Sequence, residues 1–221
     1  MLATPYFQKR YDNVPSTQDV ARGLCESLPV LVIASSQTRG RGRSGVAWDN
    51  AERALAVSLA VRVEPDAEQR PLSLMAGVAA VRATDTANLK WPNDVLVPEG
   101  KVGGILVEQS AGVSVIGLGL NLFWPEAPEG SASLYDFDPG PEAHVEIAAL
   151  WGAELMVLLR APGWPIDDYR EVCSTLGANV TWEPDGQGVA VDVAPDGSLI
   201  VETSSGTESI YSGAVRHVRL A

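Results

Sequence analysis

Positive charge is scarce in this chain. Of 221 residues, 16 are Lys or Arg against 28 Asp or Glu, a formal net charge of −12 with His neutral. Only three of the cations are lysines, Lys9, Lys90 and Lys101. So acidic a protein lacks the positive face that sequence-independent DNA binding or attachment to anionic lipid requires. Cysteine is nearly absent as well. Cys25 and Cys173 are too few for a disulfide framework or a zinc site and read as packed core thiols. Two histidines, His144 and His217, exclude a His-rich metal site. No apolar run reaches the roughly 18 residues that suggest a membrane span. The nearest, residues 147–159, is broken by Glu154 and reads as a buried helix. The opening MLATPYFQKRYDN lacks the charged start, apolar stretch and cleavage site of a secretory signal. The expectation is a soluble, cytoplasmic protein of one large domain with at most a small appendage.

The apolar pattern divides the chain in two. Ser16 or Thr17 is placed to N-cap a helix reaching about residue 28, and residues 30–34 form a short buried strand. Residues 35–50 carry Gly and Ser between arginines without periodicity, a loop of 16 residues, and loops that long in compact domains are usually functional or disordered. In residues 54–63, Leu55, Val57, Leu59, Val61 and Val63 share one face, and Ala54, Ala56, Ser58 and Ala60 share the other. The small face leaves room for a helix or a ligand. Helices are predicted over 71–83, 142–160 and 166–176, and strands over 88–90, 95–97, 105–107 and 113–122. A Pro-, Gly- and Ser-rich connector fills 124–141. After Gly177 come short strands at 180–183, 189–193, 199–202 and 215–220, with Pro-Asp-Gly turns at 184–186 and 195–197. The pattern is an α+β chain: a mixed β-sheet with flanking helices over residues 1–177 and a small β-barrel over 178–221.

Four segments carry chemistry. Gly40-Arg41-Gly42-Arg43 sets two guanidinium forks on a backbone that glycine lets approach a ligand; a solvated basic loop is the competing reading. In Lys90-Trp91-Pro92-Asn93-Asp94, proline breaks a strand and leaves Asn93 and Asp94 at a bend. Asn there can read an edge such as adenine's, and Asp can take a ribose hydroxyl or Mg²⁺ through water; an ordinary Asn-Asp turn looks the same. Lys101-Val102-Gly103-Gly104-Ile105-Leu106-Val107-Glu108 puts a lysine before two glycines at a strand start, where it can reach a carbonyl or phosphate, or else stand exposed on a hairpin. Gly117-Leu118-Gly119-Leu120-Asn121 is not a dinucleotide fingerprint, because the third glycine and the helix are missing; its glycines read as close backbone packing.

In this order, with Gln37-Thr38-Arg39 leading the first segment, Trp48 following it and Ser16-Thr17 at a helix start, the motifs closely resemble the biotin–protein ligase family (biotin–[acetyl-CoA-carboxylase] ligases), in its short monofunctional form. The resemblance covers nearly the whole chain. It implies a catalytic domain similar to class II aminoacyl-tRNA synthetases and an SH3-like C-terminal barrel. It implies ATP and biotin as substrates, Mg²⁺, a biotinyl-5′-AMP intermediate, and a biotin carboxyl carrier protein or domain as partner. By similarity, Ser16, Thr17, Gln37, Gly40, Arg41, Lys101 and Gly104 bind biotin. Arg43, Trp48, Asn93, Asp94, Lys101 and Asn121 bind ATP or the adenylate. Lys101, Arg43 and Arg41 are catalytic, and Asp94 is the candidate metal ligand. The helix start at Ser16 leaves no room for the DNA-binding domain that some members carry, so no DNA partner is expected, and the protein is expected as a monomer or weak homodimer. The loop from Gly40 to Trp48 is expected to order over the adenylate. The chain departs from the family pattern at Gln18, usually Asn, at Arg39, usually small, and at Ser44, usually basic.

Overall fold

The computed structural model describes residues 6–26, 29–43, 48, 51–62, 70–85, 87–182, 184–211 and 216–217. Among the described residues, the strands form two sheets. The larger has the order β1-β2-β3-β7-β6-β5-β4, built from β1 (Phe7–Val14), β2 (Val30–Gln37), β3 (Arg53–Arg62), β4 (Asn88–Lys90), β5 (Asp94–Val97), β6 (Gly100–Ser110) and β7 (Val113–Phe123). Only β1 and β2 pair in parallel, so the sheet is mixed. β3 lies between β2 and β7 and is buried on both faces from Ala54 to Val61.

The two faces of β3 go to different layers, as its alternation predicts. Leu55, Val57, Leu59 and Val61 join the main core with α2 (Leu72–Thr84) and α3 (Ala143–Arg160), and Val63, expected on the same face, lies outside the described residues. The indole of Trp151 donates to the Ala76 carbonyl at 3.1 Å and locks these two helices together. On the other face Ala60 packs with Val30, Val32, Val113 and Val115 under Ala21 of α1 (Thr17–Leu24), and the small side chains admit the helix. Cys25 and Cys173 are buried and form no disulfide, as expected. No helix is long and apolar enough to cross a membrane among the described residues.

Several element limits differ from the sequence reading. α1 ends at Leu24, and residues 27–28, where the longer helix was expected to finish, lie outside the described residues. β2 continues to Gln37 because Ser36 and Gln37 pair with Asn13 and Val14 of β1, a strand the apolar pattern did not reveal. The last predicted helix is α4 (Ile166–Val172), shorter than expected: Ser174 N–H bonds the Leu89 carbonyl at 2.8 Å, which turns the chain onto β4.

The smaller sheet is antiparallel in the order β11-β10-β9-β8-β12, from β8 (Asn179–Trp182), β9 (Gly186–Val193), β10 (Leu199–Thr203), β11 (Gly206–Ile210) and β12 (Arg216–His217). β11 was not expected. The closed barrel of the sequence reading is not seen: β11 and β12 are the two edges, and no pairing joins them among the described residues. Residues 218–220 of the expected last strand lie outside the described residues. This sheet is fastened to the larger one through Trp91, which is buried. Its backbone N–H donates to Thr175 Oγ1 and its indole to the Gly197 carbonyl, both at 2.9 Å.

Candidate active site

A cavity of about 630 Å³ opens over the side of the larger sheet where α1 meets β3, β6 and β7. That volume suits one small-molecule ligand with polar groups fixing its orientation. Its lining includes Ser16, Thr17, Gln37, Arg41, Arg43, Trp48, Asn93, Asp94, Lys101, Gly104 and Asn121. Every residue singled out from the sequence therefore meets here except Gly40. Gly40 stands just behind, and its carbonyl accepts the Trp48 N–H at 3.1 Å. Ser44 and the remainder of the loop through residue 47 lie outside the described residues, and with them the expected ordering over a ligand.

The polar lining falls into two clusters of different character. The first is neutral. Ser16 occupies the N-cap position of α1 with extended backbone but makes no side-chain cap. Capping comes instead from β2: Gln37 Oε1 accepts the Thr17 backbone N–H at 2.8 Å and its hydroxyl at 3.1 Å. Ser58 of β3, fully buried, donates to Thr17 Oγ1 at 2.8 Å. An amide oxygen that takes up a helix's orphan N–H fixes the helix start against two strands at once. Gln18, in the next position, donates from Nε2 to the Leu106 carbonyl at 2.8 Å and packs on Gly117, where a Cβ would come within 2.8 Å of that nitrogen.

The second cluster is charged. The turn between β4 and β5 presents Trp91 to the smaller sheet and Asn93 and Asp94 to the cavity. Arg43 donates to Asn93 Oδ1 at 3.0 Å, and Asn93 Nδ2 donates to the Ile105 carbonyl at 3.2 Å. Lys101 Nζ lies 2.5 Å from Asp94 Oδ1. Asp94 is the one acidic side chain among the described cavity residues, and no group of three His, Cys, Asp or Glu is placed to hold a metal among the described residues.

Glycines separate packing from access. A Cβ on Gly103 would stand 2.4 Å from Leu120 Cδ2 and 2.6 Å from the Gly119 carbonyl, so Gly103 is required by the sheet. On Gly104 it would meet only Trp48 and Lys101 at ordinary contact, 3.5 Å and 3.7 Å, so Gly104 keeps the cavity wall open. Gly119 lets the Trp48 indole approach β7, since a Cβ there would touch the ring at 3.0 Å. The Gly117 and Gly119 pair, read from the sequence as close backbone packing, instead admits side chains, Gln18 at Gly117 and Trp48 at Gly119.

Arg41 stands apart from both clusters. Its fork is taken by Asp19 Oδ2 and Oδ1, at 3.0 and 2.8 Å, and Nη2 lies 3.3 Å from both Glu108 oxygens. The hydrogen bonds from Arg41 hold the Asp19 carboxyl below its ordinary range; burial opposes this, and the charges of Arg41, Arg39 and Arg22 assist.

Other lining residues were not anticipated. Trp124, Pro128 and Ser131 come from the connector. Its residues 130–132 run beside Lys101, whose N–H bonds the Gly130 carbonyl at 3.0 Å and whose carbonyl accepts the Ala132 N–H at 2.8 Å. Asn121 Nδ2 donates to the Ala132 carbonyl at 3.1 Å and ties the connector from the other side.

Comparison with known proteins agrees with this geometry. Residues 14–121 match the biotin/lipoate A/B protein ligase family, and residues 179–218 match the biotin protein ligase C-terminal domain. The chain is 36% identical over 214 residues to the biotin–[acetyl-CoA-carboxylase] ligase of Mycobacterium tuberculosis, covering 86% of this chain and 79% of that one. It is 35% identical over 127 residues to the bifunctional ligase/repressor BirA of Bacillus subtilis, covering 51% of this chain but only 39% of that one. The biotin protein ligase of Aquifex aeolicus in complex with biotin and ATP superposes with a TM-score of 0.80 at 25% identity, over 97% of this chain and 99% of that one. With the sequence signature, the fold and the cavity in agreement, the chain belongs to the biotin/lipoate A/B protein ligase family.

Proposed function

We propose that the protein is an ATP-dependent biotin–protein ligase, which activates biotin as biotinyl-5′-AMP and transfers it to one lysine of a biotin carboxyl carrier protein or domain. The observation that carries this reading is a single cavity with a neutral hydrogen-bonding cluster around Thr17 and a cationic one around Lys101. The ureido group of biotin is neutral and rich in donors and acceptors, whereas its carboxylate must meet a polyphosphate. Each end of the substrate thus has a cluster of matching chemistry.

In the first step a biotin carboxylate oxygen bonds to the α-phosphorus of ATP as the bond to the pyrophosphate oxygen breaks. Two anions meet, so fixed positive charge is needed where negative charge gathers. Lys101 and Arg43 supply it. Asp94 orients the Lys101 ammonium, and Asn93 orients the Arg43 guanidinium and faces adenine. Thr17, Ser16 and Gln37 hold the ureido end, with the Gly40–Gly42 backbone, Arg41 and Gly104 along biotin. Trp48 and Asn121 flank the adenylate. In the second step the carrier's lysine amine attacks the biotinyl carbonyl, a C–N bond forms, and AMP leaves with the electron pair of the C–O bond. Excluding water from the cavity protects the mixed anhydride meanwhile.

Magnesium, when bound, neutralises the phosphates of ATP. Among the described residues the cavity offers a single carboxylate, already engaged by Lys101, which suits an ion held chiefly by the nucleotide with Asp94 as its protein-side neighbour. We assign residues 1–177 to the catalytic domain, of the kind found in class II aminoacyl-tRNA synthetases, and residues 178–221 to an SH3-like domain. The protein acts in the cytoplasm on carrier, biotin and ATP without a DNA partner, as a monomer or weak homodimer.

The test is incubation of the purified chain with ATP, Mg²⁺, an apo carrier domain and either biotin or lipoate, followed by mass analysis of the carrier. Biotin on a single carrier lysine is expected. Transfer of lipoate instead would reassign the substrate. An adenylate that forms and stays bound without transfer would make the protein a sensor.

A further inference from the structure

Arg41 has an unusual setting for a cavity residue. Glycines flank it on both sides, so its own loop supplies no neighbouring side chain to hold it, and the backbone there is permissive. Its two terminal nitrogens are nonetheless engaged by two carboxylates from elsewhere in the fold. Asp19 belongs to the first turn of α1, the turn that also carries Thr17 and Gln18. Glu108 belongs to β6, the strand that carries Lys101 and Gly104. Glu108 is held in turn by Arg22 of α1, whose Nη2 lies 3.7 Å from its carboxylate and donates to its carbonyl at 3.3 Å. Arg22, Glu108, Arg41 and Asp19 alternate in sign and sum to zero. Arg41 therefore brings no uncompensated charge to the place where anions meet. An isolated exposed ion pair would hold little. A two-pronged fork within a four-member network fixes direction as well as distance.

We infer that Asp19 and Glu108 are positioning residues for biotin, acting through Arg41. They clamp it, and with it the adjoining Gly42 of the cavity wall, against α1 and β6 before the ligand arrives. The inference rests on the ligase reading. Biotin then meets a wall already set and does not bear the entropy of ordering it. ATP, whose cluster is built on Arg43, Asn93, Asp94 and Lys101, does not depend on the clamp.

The measurements are biotin affinity by calorimetry and steady-state pyrophosphate release, on wild type, Asp19→Ala, Asp19→Asn, Asp19→Glu, Arg41→Ala and the Asp19→Ala/Arg41→Ala double variant. Asp19→Ala and Asp19→Asn should weaken biotin roughly 10-fold, the scale of a directly coupled pair, with kcat and the KM for ATP moving less than about twofold. Asp19→Glu should recover part of the loss. In the Arg41→Ala background, Asp19→Ala should add nothing. Unchanged biotin affinity in both Asp19→Ala and Asp19→Asn overturns the inference. So does an effect that adds in full to that of Arg41→Ala, or an equal loss for biotin and ATP with a lowered melting temperature. A wild-type chain that binds biotin and releases pyrophosphate while the variants match it sinks only the clamp. A wild-type chain that does neither sinks the ligase reading and the clamp with it.

Discussion

The two polar clusters of the cavity solve opposite problems. Around Thr17 every interaction is between neutral groups, Ser58 is fully buried, and the donors and acceptors are shared between a helix start and two strands. Around Lys101 the groups are ionic and partly open to solvent, the lysine side chain at 39% and Asp94 at 21% of full exposure. The neutral cluster is part of the fold, because Thr17, Gln37 and Ser58 bond one another and would cost free energy if separated. The charged cluster is held by partners that an incoming phosphate or carboxylate can replace. On the proposed assignment, recognition of a neutral ring is built into the architecture, while the reacting end stays exchangeable.

The largest expected effect breaks the charged side alone. Lys101→Ala should lower biotin-dependent pyrophosphate release roughly 10²–10³-fold, the scale of losing a group aimed at developing charge. Its stability should stay within about ±0.5 kcal/mol of wild type, as surface changes usually do. Denaturant titration beside the assay separates the two. An unchanged rate would remove Lys101 from the chemistry.

The neutral side should fail differently. Thr17→Val leaves the buried Ser58 hydroxyl without its acceptor and should cost about 1–3 kcal/mol of stability. Biotin KM should rise with little change in the KM for ATP. Equal losses for both substrates would erase the distinction between the clusters.

Gly103 and Gly104 sharpen the same contrast within one dipeptide. Gly103→Ala forces a Cβ into Leu120 and the Gly119 carbonyl and should destabilise the sheet by about 1–3 kcal/mol. Gly104→Ala has room, and should leave the unfolding midpoint nearly in place while raising biotin KM. Unfolding curves of the two variants, overlaid, check this directly. If Gly104→Ala is the less stable one, the division between packing and access is wrong.

The smallest effect concerns acid. The folded-state pKa of Asp19 is lowered, so its contribution is complete above the unfolded carboxyl value of about 3.9 and is lost as pH falls through the folded value. Because Asp19 is largely exposed, the effect should be modest and shrink with salt. Between pH 5 and 8 it should be flat, and Asp19→Asn should show a shallower acid limb of stability than wild type.

How much of this was legible follows from where the signals lie. The motifs read as chemical from the sequence converge because the helix start at Ser16-Thr17, the loop after β2, the turn before β5 and the bodies of β6 and β7 all border one cavity. The split faces of β3 were visible as Leu and Val alternating with Ala and Ser. β1 and β11 were not, since both are sheet edges whose sequences, FQKRYDNV and GTESI, are mostly exposed and polar. Trp124, Pro128 and Ser131 were hidden for a related reason. A Pro-, Gly- and Ser-rich segment reads as a connector, and the hydrogen bonds of residues 130–132 to Lys101 and Asn121 reveal it as cavity wall. The engagement of Arg41 was unreadable too, because its partners are 22 and 67 residues away on other elements. One hint existed, in that Glu108 closes the Lys101 motif.

The most direct test of the whole account is ATP–pyrophosphate exchange by the wild-type chain with no carrier present. If the cavity by itself brings a biotin carboxylate onto the α-phosphorus of ATP, labelled pyrophosphate should enter ATP when biotin is added and not without it. Exchange that ignores biotin, or none at all under conditions where both substrates bind, would contradict it.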